Sequence, residues 1–166
     1  GSERTKNGGT IMSIEKVKEY FKSQGMEERV LEFDVSSATV EQAAQALGCE
    51  PSRIAKTLAF GLGKEVILVV AAGDARIDNR KYRAQFKAKA KMIPAAETEA
   101  LVGYEVGGIC PFKVNCGVQV YLDQSLRRFK TVFPAGGSSN SAVKLTIPEL
   151  EKHSQCRGWV DVCKIR

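Results

Sequence analysis

The sequence predicts one α/β (α+β) domain in which helices surround a mixed sheet. The length of 166 residues fits a single domain. An apolar content of 43% beside 27% charged residues supplies a core and excludes global disorder. Segments with helical periodicity interleave irregularly with strand-like segments, and no linker, repeat or low-complexity stretch divides the chain.

The N-terminal segment differs from the rest of the chain. Residues 1–11 are polar and glycine-rich, and we interpret them as a tag remnant that precedes a domain of residues 12–166. The longest apolar run, Val66–Ala72, is shorter than the roughly 18–20 residues that a membrane-spanning helix needs. No apolar stretch of a secretory signal precedes the first helical pattern. We therefore expect a cytoplasmic protein with no membrane partner.

The five cysteines and the one histidine form no recognisable metal-binding motif. No two cysteines have C-x-x-C spacing, and the interval between Cys110 and Cys116 is not that of a zinc site. We expect reduced thiols, as is usual in a reducing compartment, and neither a metal nor another cofactor.

The first part of the chain carries clear helix-capping signals. Thr39-x-x-Gln42 has the spacing of a capping box, and glycines follow the periodic segments where helices end. The predicted elements are, in order, a helix capped by Ser13 and ended at Gly25, a strand at Val30–Phe33, a helix from Thr39 to Gly48 and a short helical turn at Pro51.

A β-hairpin is predicted next. Ala55–Phe60 and Val66–Ala72 are strand-like and are joined across Gly61–Lys64. Gly61-x-Gly63 resembles the start of a dinucleotide-binding motif, but the third glycine is absent and a strand follows instead of a helix. These features favour a hairpin turn.

A basic helix follows the hairpin. Asp78 is predicted to cap it, with Tyr82 and Phe86 facing the core. The outward face is densely positive, which is typical of a solvated face or of a surface that neutralises phosphates. Its cations are Arg80, Lys81, Arg83, Lys87, Lys89 and Lys91.

The remaining segments predict further strands and two helices. Thr146-x-x-Glu149 has capping-box spacing with Pro148 inside it, which indicates the start of the last helix. The other predicted elements are strands at Lys89–Ile93, Val118–Leu122, Thr131–Phe133, Ala142–Ile147 and Trp159–Val162, and a helix at Ala95–Val102 that ends at Gly103.

Lys56 is an unusual residue for its position. It interrupts Ile54–Phe60 (IAKTLAF), which is otherwise an apolar approach to a core strand. The lysine stem can lie on the core while its ammonium reaches water. The alternative is a fixed cation that points into a cleft, and the strand pattern leaves both interpretations open.

Two glycine-containing loops are candidate binding elements. Gly107-Gly108-Ile109-Cys110-Pro111 can turn sharply and point consecutive amides at an oxyanion or carbonyl, although an ordinary glycine turn has the same composition. Gly136-Gly137 opens a polar loop rich in backbone donors, but the following residues do not match a phosphate-binding loop.

The nucleophile and base candidates are sparse. Cys110 could act as a nucleophile, but no partner base is identifiable. His153 lies in a polar helical segment, and we expect it to be exposed to solvent rather than catalytic.

Four blocks together resemble the YbaK-type aminoacyl-tRNA deacylases, which are free-standing relatives of the editing domain inserted in bacterial prolyl-tRNA synthetases. The blocks keep a similar order and spacing across most of the chain. They are Ile54–Phe60 (IAKTLAF), Gly103–Phe112 (GYEVGGICPF), Val118–Asp123 (VQVYLD) and Val132–Gly137 (VFPAGG).

The resemblance implies a mixed, barrel-like sheet and hydrolysis of the ester between a wrong amino acid and the 3′ adenosine of tRNA. It implies that Lys56 is essential and contacts the tRNA end or the substrate. It further implies that the loop of Gly107, Gly108, Ile109, Cys110 and Pro111 cradles the aminoacyl group, beside Gly136 and Gly137. In several relatives a ribose hydroxyl of the substrate assists the attacking water, which fits a site without histidine.

Two departures from the family pattern leave the identity of the amino acid open. Cys110 occupies a position that is commonly serine in the cysteine-removing branch, and Ser138–Ser141 replaces a basic stretch. The reaction class does not depend on either difference.

Our leading hypothesis is therefore a trans-editing deacylase whose partner is mischarged tRNA, with a synthetase as a further candidate partner and no role for DNA. The net charge of +6, with Arg80, Lys81 and Arg83 on one helix, is suited to phosphates of a single-stranded acceptor end. A non-catalytic module that binds tRNA or a synthetase is the alternative. A third possibility is a cysteine-dependent hydrolase of small esters, which requires Cys110.

Overall fold

The structure is a computed structural model that describes residues 9–37 and 39–166, with the side chains described from Ser13 onward. In these residues the helices are α1 (Gly9–Ser23), α2 (Val40–Leu47), α3 (Asn79–Phe86), α4 (Thr98–Val102) and α5 (Ile147–Ser154). The strands are β1 (Val30–Glu32), β2 (Ile54–Leu62), β3 (Glu65–Ala72), β4 (Ala75–Ile77), β5 (Gln119–Asp123), β6 (Thr131–Pro134), β7 (Ser141–Val143), β8 (Leu145–Thr146), β9 (Gly158–Val160) and β10 (Cys163–Ile165).

A six-stranded mixed sheet in the order β8-β6-β2-β3-β5-β9 forms the centre of the fold. The β2–β3 hairpin is antiparallel, with Leu62 opposite Glu65 and Ala55 opposite Ala72, whereas β3 runs parallel to β5 and β2 runs parallel to β6. The sheet curls into a half-barrel, so the predicted fold class is confirmed. The pairs β1–β7 and β4–β10 form two further antiparallel ribbons.

The apolar residues of the sheet are buried in two clusters. The larger cluster joins α1, α3 and α5 to the centre of the sheet, and Phe21 meets Phe112 edge to face at 5.0 Å. The smaller cluster contains Ala44, Ile54 and Phe133 and fixes α2 beside the start of β2. Burial on this scale stabilises the fold by roughly 25 cal/mol for each Å² of apolar surface removed from water.

Capping residues set the helix boundaries largely as the sequence predicts. The Thr39 hydroxyl accepts a hydrogen bond from the Gln42 amide at 3.1 Å, and Gly48 ends α2 with a φ of 69°. Asp78 caps α3. A complete capping box between Thr146 and Glu149 starts α5. These caps satisfy amide groups that would otherwise lack partners at helix ends.

Helix α1 corrects the predicted start of the first helix. It begins at Gly9, so Ser13 lies inside the helix rather than at its cap, and its hydroxyl donates to the Gly103 carbonyl at 3.4 Å. Residues 1–8 of the predicted tag remnant lie outside the described residues, while residues 9–11 belong to α1.

Two strand predictions also need correction, and one pair of strands was not predicted. Lys89–Ile93 is extended beside β2 but forms only an isolated bridge between Met92 and Phe60 instead of a strand. The segment predicted as one strand at Ala142–Ile147 is divided into β7 and β8, and Ile147 already belongs to α5. The ribbon of β4 and β10 was not predicted, because three-residue strands carry too little periodicity.

In the described part of the chain, no helix is long and apolar enough to cross a membrane.

His153 is buried, which contradicts the expectation that it is solvent-exposed. It lies on the face of α5 that packs on α1, where its Nδ1 is 2.8 Å from the Tyr20 hydroxyl and its ring meets Phe21 edge to face. The helical period that buries Leu150 also turns His153 inward, and this overrides the polar composition of the segment. Burial lowers the pKa of His153, with Lys152 adding to the effect and Glu149 opposing it.

This burial predicts acid-sensitive stability. In the folded protein the pKa of His153 lies below its value of about 6.5 in the unfolded chain, so protonation of His153 favours unfolding. The stability that neutral His153 contributes is therefore complete above about pH 6.5 and is lost as the pH falls from there through the folded-state pKa. We expect the Tm of the wild type to fall more steeply than that of His153→Gln between about pH 7 and pH 5. Thermal melts of both proteins across this range test the effect, and parallel pH dependences would contradict it.

Candidate functional site

A cavity of about 260 Å³ lies between β2, α2 and the loop that contains Gly107. Most of its wall is apolar, and Lys56 is the one charged side chain among the described lining residues. The apolar wall includes Val40, Ala43, Leu47, Ile54, Leu58, Ile109 and Phe133. A concave apolar site with few polar groups is typical of a small-ligand pocket.

Lys56 lies in β2 with its ammonium half-buried at the wall of this cavity. Its Nζ donates to the Gly73 carbonyl, in the turn between β3 and β4, at 3.4 Å and to the carbonyl of Ala75, the first residue of β4. No carboxylate of the described residues lies within ion-pair distance of Nζ. The charge of Lys56 is therefore available to attract an anionic or strongly polar ligand.

Burial lowers the pKa of Lys56, and the positive charge of Arg166 lowers it further. The charges of Cys163, Asp74 and Glu41 act in the opposite direction. Partial desolvation strengthens any interaction between this ammonium and a ligand.

Thr57 is a polar lining residue that the sequence analysis did not select. Its Oγ1 is buried and has no hydrogen-bond partner in the described part of the chain. A buried hydroxyl without a partner is costly, which makes it a candidate ligand contact. The signal available in the sequence was its position directly after Lys56.

The loop predicted to cradle a ligand contributes Gly107 and Ile109 to the cavity wall. The Gly108 amide donates to the Glu105 carbonyl at 3.0 Å, so it is not available as an oxyanion donor. The amides of Ile109 and Cys110 have no hydrogen-bond partners among the described residues. With the Gly107 amide, which also has no partner among the described residues, they are the remaining candidate donors of this loop.

Gly136 and Gly137 do not line the cavity but hold the elements around it close together. A Cβ on Gly108 would lie 2.7 Å from the Gly137 carbonyl group, and a Cβ on Gly137 would lie 2.8 Å from the Ser13 carbonyl oxygen. Gly137 also has a φ of 100°, which glycine adopts without strain. These glycines therefore pack the cradle loop against the start of the 136–141 loop and α1.

Cys110 and Pro111 are the buried end of the cradle loop (Gly107–Pro111), and they do not line the cavity. Burial raises the pKa of the Cys110 thiol to about 11. A protonated, inaccessible thiol is a poor nucleophile. The geometry thus disfavours the cysteine-dependent hydrolase.

The predicted RNA-binding residues lie on α3. Arg80 and Arg83 are exposed and have no ion-pair partner among the described residues, whereas the Lys81 ammonium contacts Asp161 at 3.1 Å and the Cys163 carbonyl at 3.0 Å. The basic segment that follows α3 leads to Met92, which lies at the rim of the cavity.

Among the described residues, no group of three His, Cys, Asp or Glu side chains could hold a metal ion.

The fold and the cavity define an α+β domain with one cation in an apolar cavity and an exposed basic helix, α3. The family described as the aminoacyl-tRNA editing domain matches residues 34–153, and the chain belongs to this family. The matched range contains the cavity, the cradle loop and α3.

Three similar proteins are informative. The uncharacterized protein YwhH of Bacillus subtilis (strain 168) is 53% identical over 92% of this chain and 98% of its own length. A protein of Enterococcus faecalis (strain ATCC 700802 / V583), proposed to be a Cys-tRNA(Pro)/Cys-tRNA(Cys) deacylase, is 27% identical over 64% of this chain and 66% of its own. A crystal structure of a protein proposed as a trans-editing enzyme for prolyl-tRNA synthetase has a TM-score of 0.82 at 27% identity, covering 92% of this chain and 97% of the other.

We predict that Cys110 is dispensable for any hydrolysis at this site. Cys110→Ser and Cys110→Ala should keep the single-turnover rate constant within about tenfold of the wild type, since losing a true nucleophile costs orders of magnitude. Alkylation of the native protein should modify exposed Cys116 and leave Cys110 unmodified by mass spectrometry. Loss of several orders of magnitude in both Cys110 variants would contradict this assignment.

Proposed function

We propose that this protein is an aminoacyl-tRNA deacylase that hydrolyses the ester of mischarged tRNA in trans. The observation that carries the proposal is Lys56, a half-buried cation without a carboxylate partner in the wall of an otherwise uncharged cavity. Family membership supports the reaction class. The proposed substrate is mischarged tRNA. Because charged tRNA is used in translation, the proposal also places the protein in the cytoplasm.

The cavity suits an aminoacyl group attached to a terminal ribose. Its apolar wall would receive the amino-acid side chain, while Thr57 and Lys56 would supply polar contacts. One methylene changes binding by about 1–3 kcal/mol, so the exact shape of this wall would decide which amino acid is removed.

The hydrolysis needs water as the nucleophile. The water oxygen bonds to the ester carbonyl carbon, the bond from that carbon to the ribose oxygen breaks, and a proton passes to the departing ribose oxygen. Lys56 would hold the 3′ end electrostatically, and the amide of Ile109, which lines the cavity and is unpartnered among the described residues, would stabilise the oxyanion. No histidine or carboxylate is found among the described lining residues, so we assign proton relay to a ribose hydroxyl of the substrate.

The exposed cations of α3 would bind acceptor-end phosphates while the 3′ end enters the cavity. Arg80 and Arg83 are suited to this role because neither is engaged in an ion pair among the described residues. Lys81 has a different role in the fold, because it ties α3 to the segment around β10.

A non-catalytic module that binds tRNA or a synthetase is the second candidate. The lack of a general base among the described lining residues favours it, because binding requires none. Such a module would use the same basic surface but would release no amino acid.

Lys56→Ala tests the proposed mechanism. We expect a loss of about 100-fold or more in the single-turnover rate constant, comparable to the removal of one transition-state contact. Lys56→Met, which keeps most of the apolar stem, should lose as much. Lys64→Ala removes an exposed lysine of the same hairpin and serves as the matched control. Full activity in a Lys56→Ala protein with a wild-type Tm would exclude this mechanism.

The basic surface predicts a salt-dependent affinity. Arg80→Glu/Arg83→Glu should weaken tRNA binding and flatten the log–log salt dependence by about 0.7 for each single-strand phosphate that the variant no longer neutralises. Affinities measured over a series of salt concentrations test this. An unchanged slope and affinity would show that α3 does not contact tRNA.

A further inference from the structure

The turn between β3 and β4, which contains Gly73 and Asp74, holds the ammonium of Lys56. The two acceptors of Lys56 Nζ are the backbone carbonyl of Gly73 in this turn and that of Ala75, which begins β4 directly after it. The direction of the ammonium therefore depends on the position of a main-chain segment. Contacts that hold this turn in place therefore also hold the Lys56 ammonium in place.

A 3₁₀ turn at Gln124–Arg128 holds the β3–β4 turn from the outside. The Arg128 guanidinium donates to both carboxylate oxygens of Asp74, at 2.6 and 3.0 Å. The Ser125 hydroxyl accepts a hydrogen bond from the Ala72 amide at 3.1 Å. A two-pronged arginine–carboxylate pair restricts orientation as well as distance.

The inner side of the β3–β4 turn is packed without spare room. A Cβ on Gly73 would lie 2.0 Å from the Pro51 carbonyl oxygen and 2.7 Å from the Val40 side chain. Val40 lines the cavity. The turn is thus held between Arg128 on one side and the cavity wall on the other.

We propose that the Asp74–Arg128 pair positions Lys56 for its role in the cavity by fixing the carbonyls of the β3–β4 turn. This inference rests on the proposed function, because it assigns residues that support the reaction without touching the substrate. Asp74 and Arg128 are positioning residues, and neither lines the cavity.

Because Asp74 and Arg128 carry opposite charges, the effects of substituting each one distinguish a positioning role from direct RNA binding. If Arg128 bound phosphate, Arg128→Ala would weaken tRNA binding, whereas Asp74→Asn would strengthen it by removing a negative charge. If the pair positions Lys56, both substitutions reduce the rate constant at saturating tRNA and leave KM nearly unchanged. The double variant then loses no more than either single variant, since one interaction is removed in each case.

The experiment measures single-turnover deacylation by Asp74→Asn, Arg128→Ala and the double variant. We expect a loss of about tenfold in each, because small displacements of a catalytic group have effects of this size or larger. Arg128→Lys, which keeps one contact to Asp74, should recover part of the loss. Arg29→Ala is the control, because Arg29 forms a similar two-pronged pair with Glu149 away from the cavity. Opposite effects of the two single variants, or wild-type rates in both, would overturn the proposal.

A second measurement does not depend on activity. Titration of Lys56 by NMR reports its surroundings, which include Arg166 and Cys163 near β10, Asp74 on the turn and Glu41 on α2. The double variant Asp74→Asn/Arg128→Ala removes one positive and one negative charge, so a changed pKa of Lys56 in it reports displacement of the carbonyls that hold the ammonium. An unchanged titration would overturn the positioning role. A wild type that hydrolyses no charged tRNA but shows this shift would refute the proposed function and leave the positioning of Lys56 intact.

Discussion

The candidate site depends on one constraint, the retention of a lysine ammonium in the wall of an apolar cavity by backbone carbonyls. Lys56 is placed there by β2, and its acceptors are the carbonyls of Gly73 and Ala75, which directly follow the strand β3 that pairs with β2. A charged group in such surroundings loses hydration and needs compensating contacts. The carbonyls of Gly73 and Ala75 provide these contacts without neutralising the charge, as a carboxylate would.

Close backbone approaches build the remainder of the site. Gly73 allows the β3–β4 turn to contact Pro51, and Gly108 and Gly137 allow two loops and α1 to meet at the cradle. Because each of these contacts would be blocked by a Cβ, glycine at these positions contributes shape instead of ligand contacts. This explains how Gly137 can matter to the cavity without lining it. In the same closely packed region, the thiol of Cys110 in the cradle loop is fully buried.

The sequence was most informative where local chemistry determines structure. Caps at Thr39, Asp78 and Thr146 set helix starts, and two strand-like segments joined across Gly61–Lys64 identified the hairpin. It was least informative where distant segments meet: the burial of His153, the pairing of β4 with β10 and the contact of Arg128 with Asp74 all depend on tertiary packing. Lys56 could be selected as an anomaly in an apolar strand, but its carbonyl partners and the unpartnered Thr57 hydroxyl required the three-dimensional arrangement.

We propose that this cavity hydrolyses aminoacyl esters on tRNA. Measuring the release of amino acid from a panel of mischarged tRNAs tests this activity most directly. The panel should include tRNA(Pro) carrying cysteine, alanine or serine, beside correctly charged prolyl-tRNA. We expect rapid release from at least one mischarged member and much slower release from the correctly charged tRNA. Binding of the panel with no release from any member, under conditions in which the protein is folded, would contradict the claim and favour a non-catalytic binding module.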